Sequence, residues 1–344
     1  MKKSIILLLL ISLLITSLTG CSKPAAPATP APAPGTPAAP VAQDPVTLKL
    51  GHTGVIGHFY QEGSEEFARL VNEKTNGVVT VEIYPSDQLG NQRSSVEGAQ
   101  IGTQDMVLTS SMILANFDES IGVFDLPFLF PDRETAYKAM DGEVAKEIEA
   151  KFEAKGLVFL GWWENGFRHI TNAKRAIEKP EDLKGLKIRV PESAVYIDTF
   201  TALGASATPI SMGELFSALQ LKTVDGQENP AGHVITQKFF EVQDFISLTG
   251  HFYTAEPLVM SKIVFDKMTP EVQQALKEAG KEAGEFERKR SAELEQDYLK
   301  QIEETGMTIT KPDLKPFQDA VKPVMEKYQA VYGENLTKLL NLSK

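Results

Sequence analysis

The chain has 344 residues, 42 % of them hydrophobic, and a formal net charge of −11. That length suffices for two compact lobes with a full core, and the acidic balance argues against a general nucleic-acid or anionic-membrane surface. With a single cysteine, and no HExxH, GxSxG, P-loop or GxGxxG pattern, disulfide stapling and the common catalytic and nucleotide signatures are absent from the sequence.

Lys2 and Lys3 precede an apolar run over residues 5–18 that ends in Thr19 and Gly20, the pattern of a secretory signal, 1–20. The run is shorter than the roughly 20 apolar residues of a membrane-spanning helix. Leu18-Thr19-Gly20-Cys21 resembles the bacterial lipoprotein cleavage signal, which implies lipidation of Cys21 and leaves no thiol for catalysis. Residues 21–45 then form an Ala/Pro linker biased toward extended polyproline conformation, with a reach of at most roughly 70 Å at about 3.1 Å per residue. Loss of Lys2 and Lys3 with the leader takes the formal charge from −11 to −13, so any anion must be held by a few local cations.

From residue 46 the periodicity alternates between strand and helix. Residues 46–52 have the period of two of a half-buried strand, 60–75 place Phe67, Leu70 and Val71 on one helical face, and 78–84 alternate again. Asn76-Gly77 is a good helix stop. This β-α-β start predicts a largely parallel sheet covered by helices. A helix follows over 91–101, a strand over 105–109, helices across 132–155, a strand over 157–164, a strand over 186–190, and helices near 196–203 and 213–221. Thr269-Pro270 starts a helix that no proline interrupts before Pro312. Extending to about residue 304, it would be roughly 50 Å long. Its apolar positions keep no strict heptad, and between a solvated or coiled-coil helix and a strut across two lobes the strut is preferred.

Two arginines stand out. Arg168 is predicted directly after the strand 157–164, and Arg189 lies in the strand 186–190. Cations at the ends of buried strands are costly unless they meet an anion, and in open α/β sheets that is where ligands bind. Arg has the planar fork for a carboxylate; a pair of surface or salt-bridged arginines accounts for the same residues. Asn229, before Pro230, is a turn residue on composition alone. The five histidines have no metal-ligand spacing beyond the weak His52/His58 pair, and no metal or cofactor is expected.

The segments Lys187-Ile-Arg-Val-Pro191, Ala202-Leu-Gly-Ala205, Ala218-Leu-Gln220, Val224-Asp-Gly-Gln-Glu-Asn-Pro230 and Lys238-Phe-Phe-Glu-Val-Gln243 occur in that order, after Tyr84-Pro-Ser-Asp-Gln-Leu-Gly90 and Asp125-Leu-Pro-Phe128. Together they resemble the substrate-binding proteins of tripartite ATP-independent periplasmic (TRAP) transporters, of the C4-dicarboxylate-binding type, over residues 46–344. The resemblance implies an α/β periplasmic-binding-protein-like fold of two lobes, with mixed sheets, crossing hinge strands and a long helix over both. It divides the chain into lobe 1, 46–165 plus 256–292, and lobe 2, 166–255 plus 293–344.

It also implies that Arg189 clamps a ligand carboxylate, that Arg168 stands nearby as a second cation, and that Asn229 donates from its amide. Met212 stands where the family commonly has an aromatic ring, a softer contact. Ser110 and Ile113 stand where sialic-acid-binding members carry Glu and Arg, which disfavours that ligand. Trp163 could wall the ligand or pack in the core; His52 and Tyr253 are further candidate contacts.

These expectations describe a binding protein and not an enzyme: an organic-acid anion, either a sugar acid such as a uronate or a C4-dicarboxylate, closes the lobes, and the closed form docks on TRAP membrane permease subunits. The protein would stand outside the cytoplasm, held to the membrane through its lipid alone. A sensor reporting the same acid to a receptor is the alternative; a surface hydrolase is disfavoured by the lack of a nucleophile-base motif.

Overall fold

The computed structural model describes residues 43–342; the predicted secretory signal, Cys21 and the Ala/Pro tract up to residue 42 lie outside the described residues. Among the described residues nine strands form one mixed sheet: β1 (Val46–Gly51), β2 (Val79–Tyr84), β3 (Met106–Leu108), β4 (Leu157–Asn172), β5 (Lys187–Val190), β6 (Ser206–Pro209), β7 (Gly226–Asn229), β8 (Phe245–Ser261) and β9 (Thr308–Thr310). The alternation that predicts the first strand is realised in β1, where Leu48 and Leu50 are buried and Thr47 and Lys49 exposed. After the helix Phe59–Lys74 the chain reverses through Asn76 and Gly77, both at positive φ (51° and 78°).

The same small topology occurs twice. β1, the helix Phe59–Lys74, β2, the helix Gln92–Ile101 and β3 give the parallel order β2-β1-β3. β5, the helix Ala194–Ala202, β6, the helix Met212–Gln220 and β7 give the parallel order β6-β5-β7. The long antiparallel strands β4 and β8 join the two sets, β8 pairing with β3 and β4 with β7. Their ladder shifts register between Phe159/Gly161, Glu164/Gly166 and Arg168/Ile170, and Gly166 has φ 105°. Such bulges bend a strand and raise its twist.

The strand predicted over 157–164 therefore continues to Asn172, and Arg168 lies inside it, not after it. Apolar patterning hides this because β4 is covered on both faces and carries buried Glu164 and Arg168 among its apolar residues. Asn229 likewise ends a strand, β7, instead of forming a turn. The 17 residues of β8 are the second crossing strand, which periodicity alone does not reveal.

Side chains of β4 alternate between two cores, one on each face of the sheet. Leu157, Phe159 and Trp162 join one, and Val158, Leu160 and Trp163 the other. Each core contains residues of both strand sets: Val107 with Ile188 and Tyr196 on one face, Leu48 and Leu50 with Leu215 on the other.

The helix Pro270–Glu304 forms as the sequence predicts, capped by Thr269, whose side chain accepts from Val272 N. It approaches β4 so closely that glycine is required: a Cβ on Gly280 would lie 2.4 Å from Leu160 O, and one on Gly161 2.3 Å from Gly280 O. The strut is thus seated directly on the crossing strand.

Candidate ligand-binding cleft

The carboxyl ends of the two strand sets meet at a cavity whose empty space, counting its mouth and the solvent in it, is about 510 Å³. Thr53 lines it beyond β1, Ser110 beyond β3, Pro191 beyond β5, Ile210 beyond β6 and Asn229 at the end of β7. This is the place where open α/β sheets hold ligands.

Arg168 and Arg189 both line this cavity, in different electrostatic states. The antiparallel register of β4 on β7 brings Arg168 to Glu228. Arg168 Nε donates to Glu228 Oε2 at 2.5 Å, and Nη2 donates to Glu228 Oε1 at 2.8 Å, to Glu228 O at 2.7 Å and to Asn229 Oδ1 at 3.0 Å. Both side chains are fully buried, so the pair stands only because its geometry is nearly complete. Burial alone would raise the Glu228 carboxyl, but Arg168, with His251 Nε2 at 3.4 Å, holds it below the ordinary carboxylate range. Arg168 Nη1 is buried and has no hydrogen-bond partner among the described residues.

Arg189 has no ion pair among the described residues; Nε donates to Ile210 O at 2.8 Å, which aims the guanidinium and leaves the rest of its fork without a protein acceptor. Burial, with Glu228 opposing and Arg168 reinforcing, lowers its pKa to about 10, so it remains cationic at neutral pH. A buried cation without an anion is costly in isolation. An anion entering the cavity removes that cost, and a carboxylate matches the free fork.

Asn229 is engaged by the protein on both sides: Oδ1 accepts from Arg168, and Nδ2 donates to Gln227 Oε1 at 2.5 Å with Met212 Sδ 4.0 Å away. Met212 lines the cavity. So does His233, which burial, then Arg168 and Arg189, lowers to about 3, making it neutral. It stacks on His58 with centroids 4.3 Å apart.

Three other predicted contacts do not line the cavity. Trp163 is fully buried against the long helix, with Nε1 donating to Gly280 O at 3.0 Å. Only glycine at 63 and 284 leaves room for its ring, since a Cβ there would come within 2.9 and 2.7 Å of it. His52 is buried beside Gln61, with Nε2 3.1 Å from Gln61 Oε1, and burial lowers it to about 4. Tyr253 donates to Glu164 Oε2 at 2.9 Å, in a buried cluster where Arg133, Tyr137 and Ser291 also donate to Glu164.

Sequence reasoning overlooks Asp87, Asn91, Gln92 and His233, all of which line the cavity, and Glu228 behind it; Asn165, which the sequence suggests as a reader of ligand hydroxyls, lines it too. Asp87 had a signal: it belongs to the turn that leaves β2, where Ser86 and Asp87 both take φ 57°. Glu228 had one too, since a buried arginine requires an anion and Glu228 is in the same segment as Asn229.

Comparison with known proteins agrees with this architecture. Residues 50–331 match the profile of DctP, bacterial extracellular solute-binding protein, family 7. The 2,3-diketo-L-gulonate-binding periplasmic protein YiaO of Escherichia coli K12 is 39 % identical over 259 residues, 75 % of this chain and 79 % of the relative. A TRAP periplasmic solute binding protein from Polaromonas sp. JS666, solved bound to D-erythronate, superposes with a TM-score of 0.84 at 38 % identity, over 86 % of this chain and 98 % of that one. The sugar acid binding protein DctPAm of Advenella mimigardefordensis, in complex with galactonate, superposes with a TM-score of 0.85 at 32 % identity, over 87 % and 98 %. The chain belongs to the DctP family of extracytoplasmic solute-binding proteins, the receptor subunits of TRAP transporters.

Proposed function

We propose that this chain captures an organic-acid anion, a sugar acid in preference to other acids, for delivery to TRAP membrane permease subunits. The observation that carries this reading is the buried Arg189 fork, aimed by Ile210 O and lacking an anion, beside an Arg168 already matched by Glu228. The ligand carboxylate would bridge Arg189 and the free Nη1 of Arg168. Relatives that bind diketogulonate, erythronate and galactonate support the sugar-acid class. Binding converts no bond; its product is the closed lobe pair.

The lobes would move about the bulge at Glu164/Gly166 and the facing Ala255/Thr254 of β8, close to lobe boundaries at residues 165/166 and 255/256. Lipid on Cys21 would keep the receptor near its permease, the linker leaving slack for docking. Thermal denaturation against a panel of sugar acids and dicarboxylates tests the ligand class, because a tight ligand raises the midpoint by mass action. A sugar acid is expected to give the largest shift; a panel that leaves the midpoint unmoved contradicts the reading. Mass spectrometry of membrane-extracted protein tests the anchor, which predicts a diacylglyceryl N-terminal cysteine and release of the Cys21→Ser variant.

A further inference from the structure

Of the charged side chains that line the cavity, Arg168 is matched by Glu228, while Arg93 lies between Glu97 at 3.4 Å and Glu192 at 3.7 Å. Arg189 and Asp87 are the two left without an ion-pair partner among the described residues. Asp87 stands on the β1–β3 side. Its backbone N–H is fixed by His52 O at 3.1 Å, and its carboxylate has no hydrogen-bond partner among the described residues. It reaches across the cleft: Oδ2 is 3.2 Å from where a Cβ on Gly213 would sit. Gly213 is three residues from Ile210, the residue that aims Arg189. The cation and the free carboxylate are therefore brought to one short stretch of lining, 210–213.

Asn91 and Gln92 complete that side. Asn91 Oδ1 accepts from Ser94 N at 2.9 Å, and Gln92 Oε1 accepts from Ser110 N and Thr109 Oγ1, both at 2.9 Å. Backbone donors thus fix both amides with oxygen engaged, and their NH₂ groups have no partner among the described residues. The far side of the cavity offers one anionic acceptor and two neutral donors. A hydroxyl group meets both, donating to Asp87 while accepting from an amide. A second carboxylate would face Asp87, with Glu256 behind Ser110 at 2.5 Å; an ammonium would leave the amides without an acceptor.

We propose that Asp87 is the specificity determinant of this cleft and selects hydroxylated monocarboxylates over dicarboxylates of the same length. This rests on the organic-acid reading above and narrows it. Like-charge juxtaposition and unpaired polar groups are strong means of rejecting a near-isostere.

Calorimetric titration with matched acids tests it. D-Erythronate and meso-tartrate differ only in a terminal hydroxymethyl against a carboxylate, as do D-galactonate and galactarate. At least one monoacid is expected to bind at least tenfold tighter than its diacid, and than 4-aminobutyrate. Asp87→Asn and Asp87→Ser are each expected to reduce that preference at least tenfold while their circular dichroism matches wild type. A diacid or 4-aminobutyrate binding as tightly as the monoacid, or a preference unchanged in both variants, overturns the role of Asp87 and leaves the organic-acid reading standing. Binding of none of the five compounds contradicts the organic-acid reading itself.

Discussion

The β1–β2–β3 and β5–β6–β7 sets are built alike, each with its first strand in the middle and the next two on either side. What stands at their carboxyl ends differs. Beyond the first set the cavity meets Asp87, Asn91 and Gln92; against the second it meets Arg189, with Arg168 contributed by the crossing strand β4. The shared topology puts a cleft between the two sets, and the charges that line it differ from one side to the other. The two arginines repeat the lesson at closer range: Arg168 has a buried anionic partner, while Arg189 has no ion pair among the described residues.

The largest effect should follow from breaking the matched pair. Glu228→Ala leaves Arg168 buried without its anion and should cost about 3–5 kcal/mol in urea unfolding. Its acid limb should change as well. Because the folded Glu228 carboxyl is depressed, its contribution is present above the unfolded carboxylate pKa and is lost as pH falls through the folded value. The variant should therefore unfold less steeply with acid. A loss of under about 1 kcal/mol would mean the pair does not hold the β4–β7 junction.

Gly280→Ala acts on neither end. It drives a methyl into Leu160 O and should cost about 1–3 kcal/mol while leaving the ratio of affinities among acids unchanged. A changed ratio would show that the strut, and not the lining residues, sets selectivity.

The smallest effect concerns Asp87 in the ligand-free protein. Burial raises its carboxyl from 3.8 to about 6, so the stability associated with its protonated form is complete below about pH 4 and is lost as pH rises through 6. Asp87→Asn should melt about 1–3 °C above wild type at pH 7.5, with the difference gone at pH 4. Equal midpoints at both pH values would mean that the carboxylate is not under strain in the empty cleft.

Much of this architecture is legible without coordinates. Short amphipathic elements such as β1 and the helix Phe59–Lys74 bury one face each, and the Thr269-Pro270 start of the strut is a local signal. The first half of β4 is legible too, but its continuation beyond residue 164 and all of β8 are not, because strands covered on both faces lose the period of two, and Glu164, Arg168 and Glu256 interrupt the apolar run that would replace it. In the cleft, Arg168, Arg189, Met212 and Asn229 line one cavity. Trp163, His52 and Tyr253 stand outside it because their surroundings are tertiary: glycines on two helices, Gln61, and a carboxylate buried in β4. Asp87 escapes notice because a carboxylate on a turn ordinarily faces water, and its approach to Gly213 depends on how the two strand sets face each other.

Titration of D-erythronate and D-galactonate into wild type and Arg189→Ala tests the central claim most directly. Losing two charge-assisted hydrogen bonds should weaken binding by about 10²–10³-fold. The melting midpoint should stay near that of wild type, because Arg189 contributes a single hydrogen bond, to Ile210 O, and no ion pair among the described residues. Unchanged affinity in the variant would contradict the assignment of Arg189 as the carboxylate clamp.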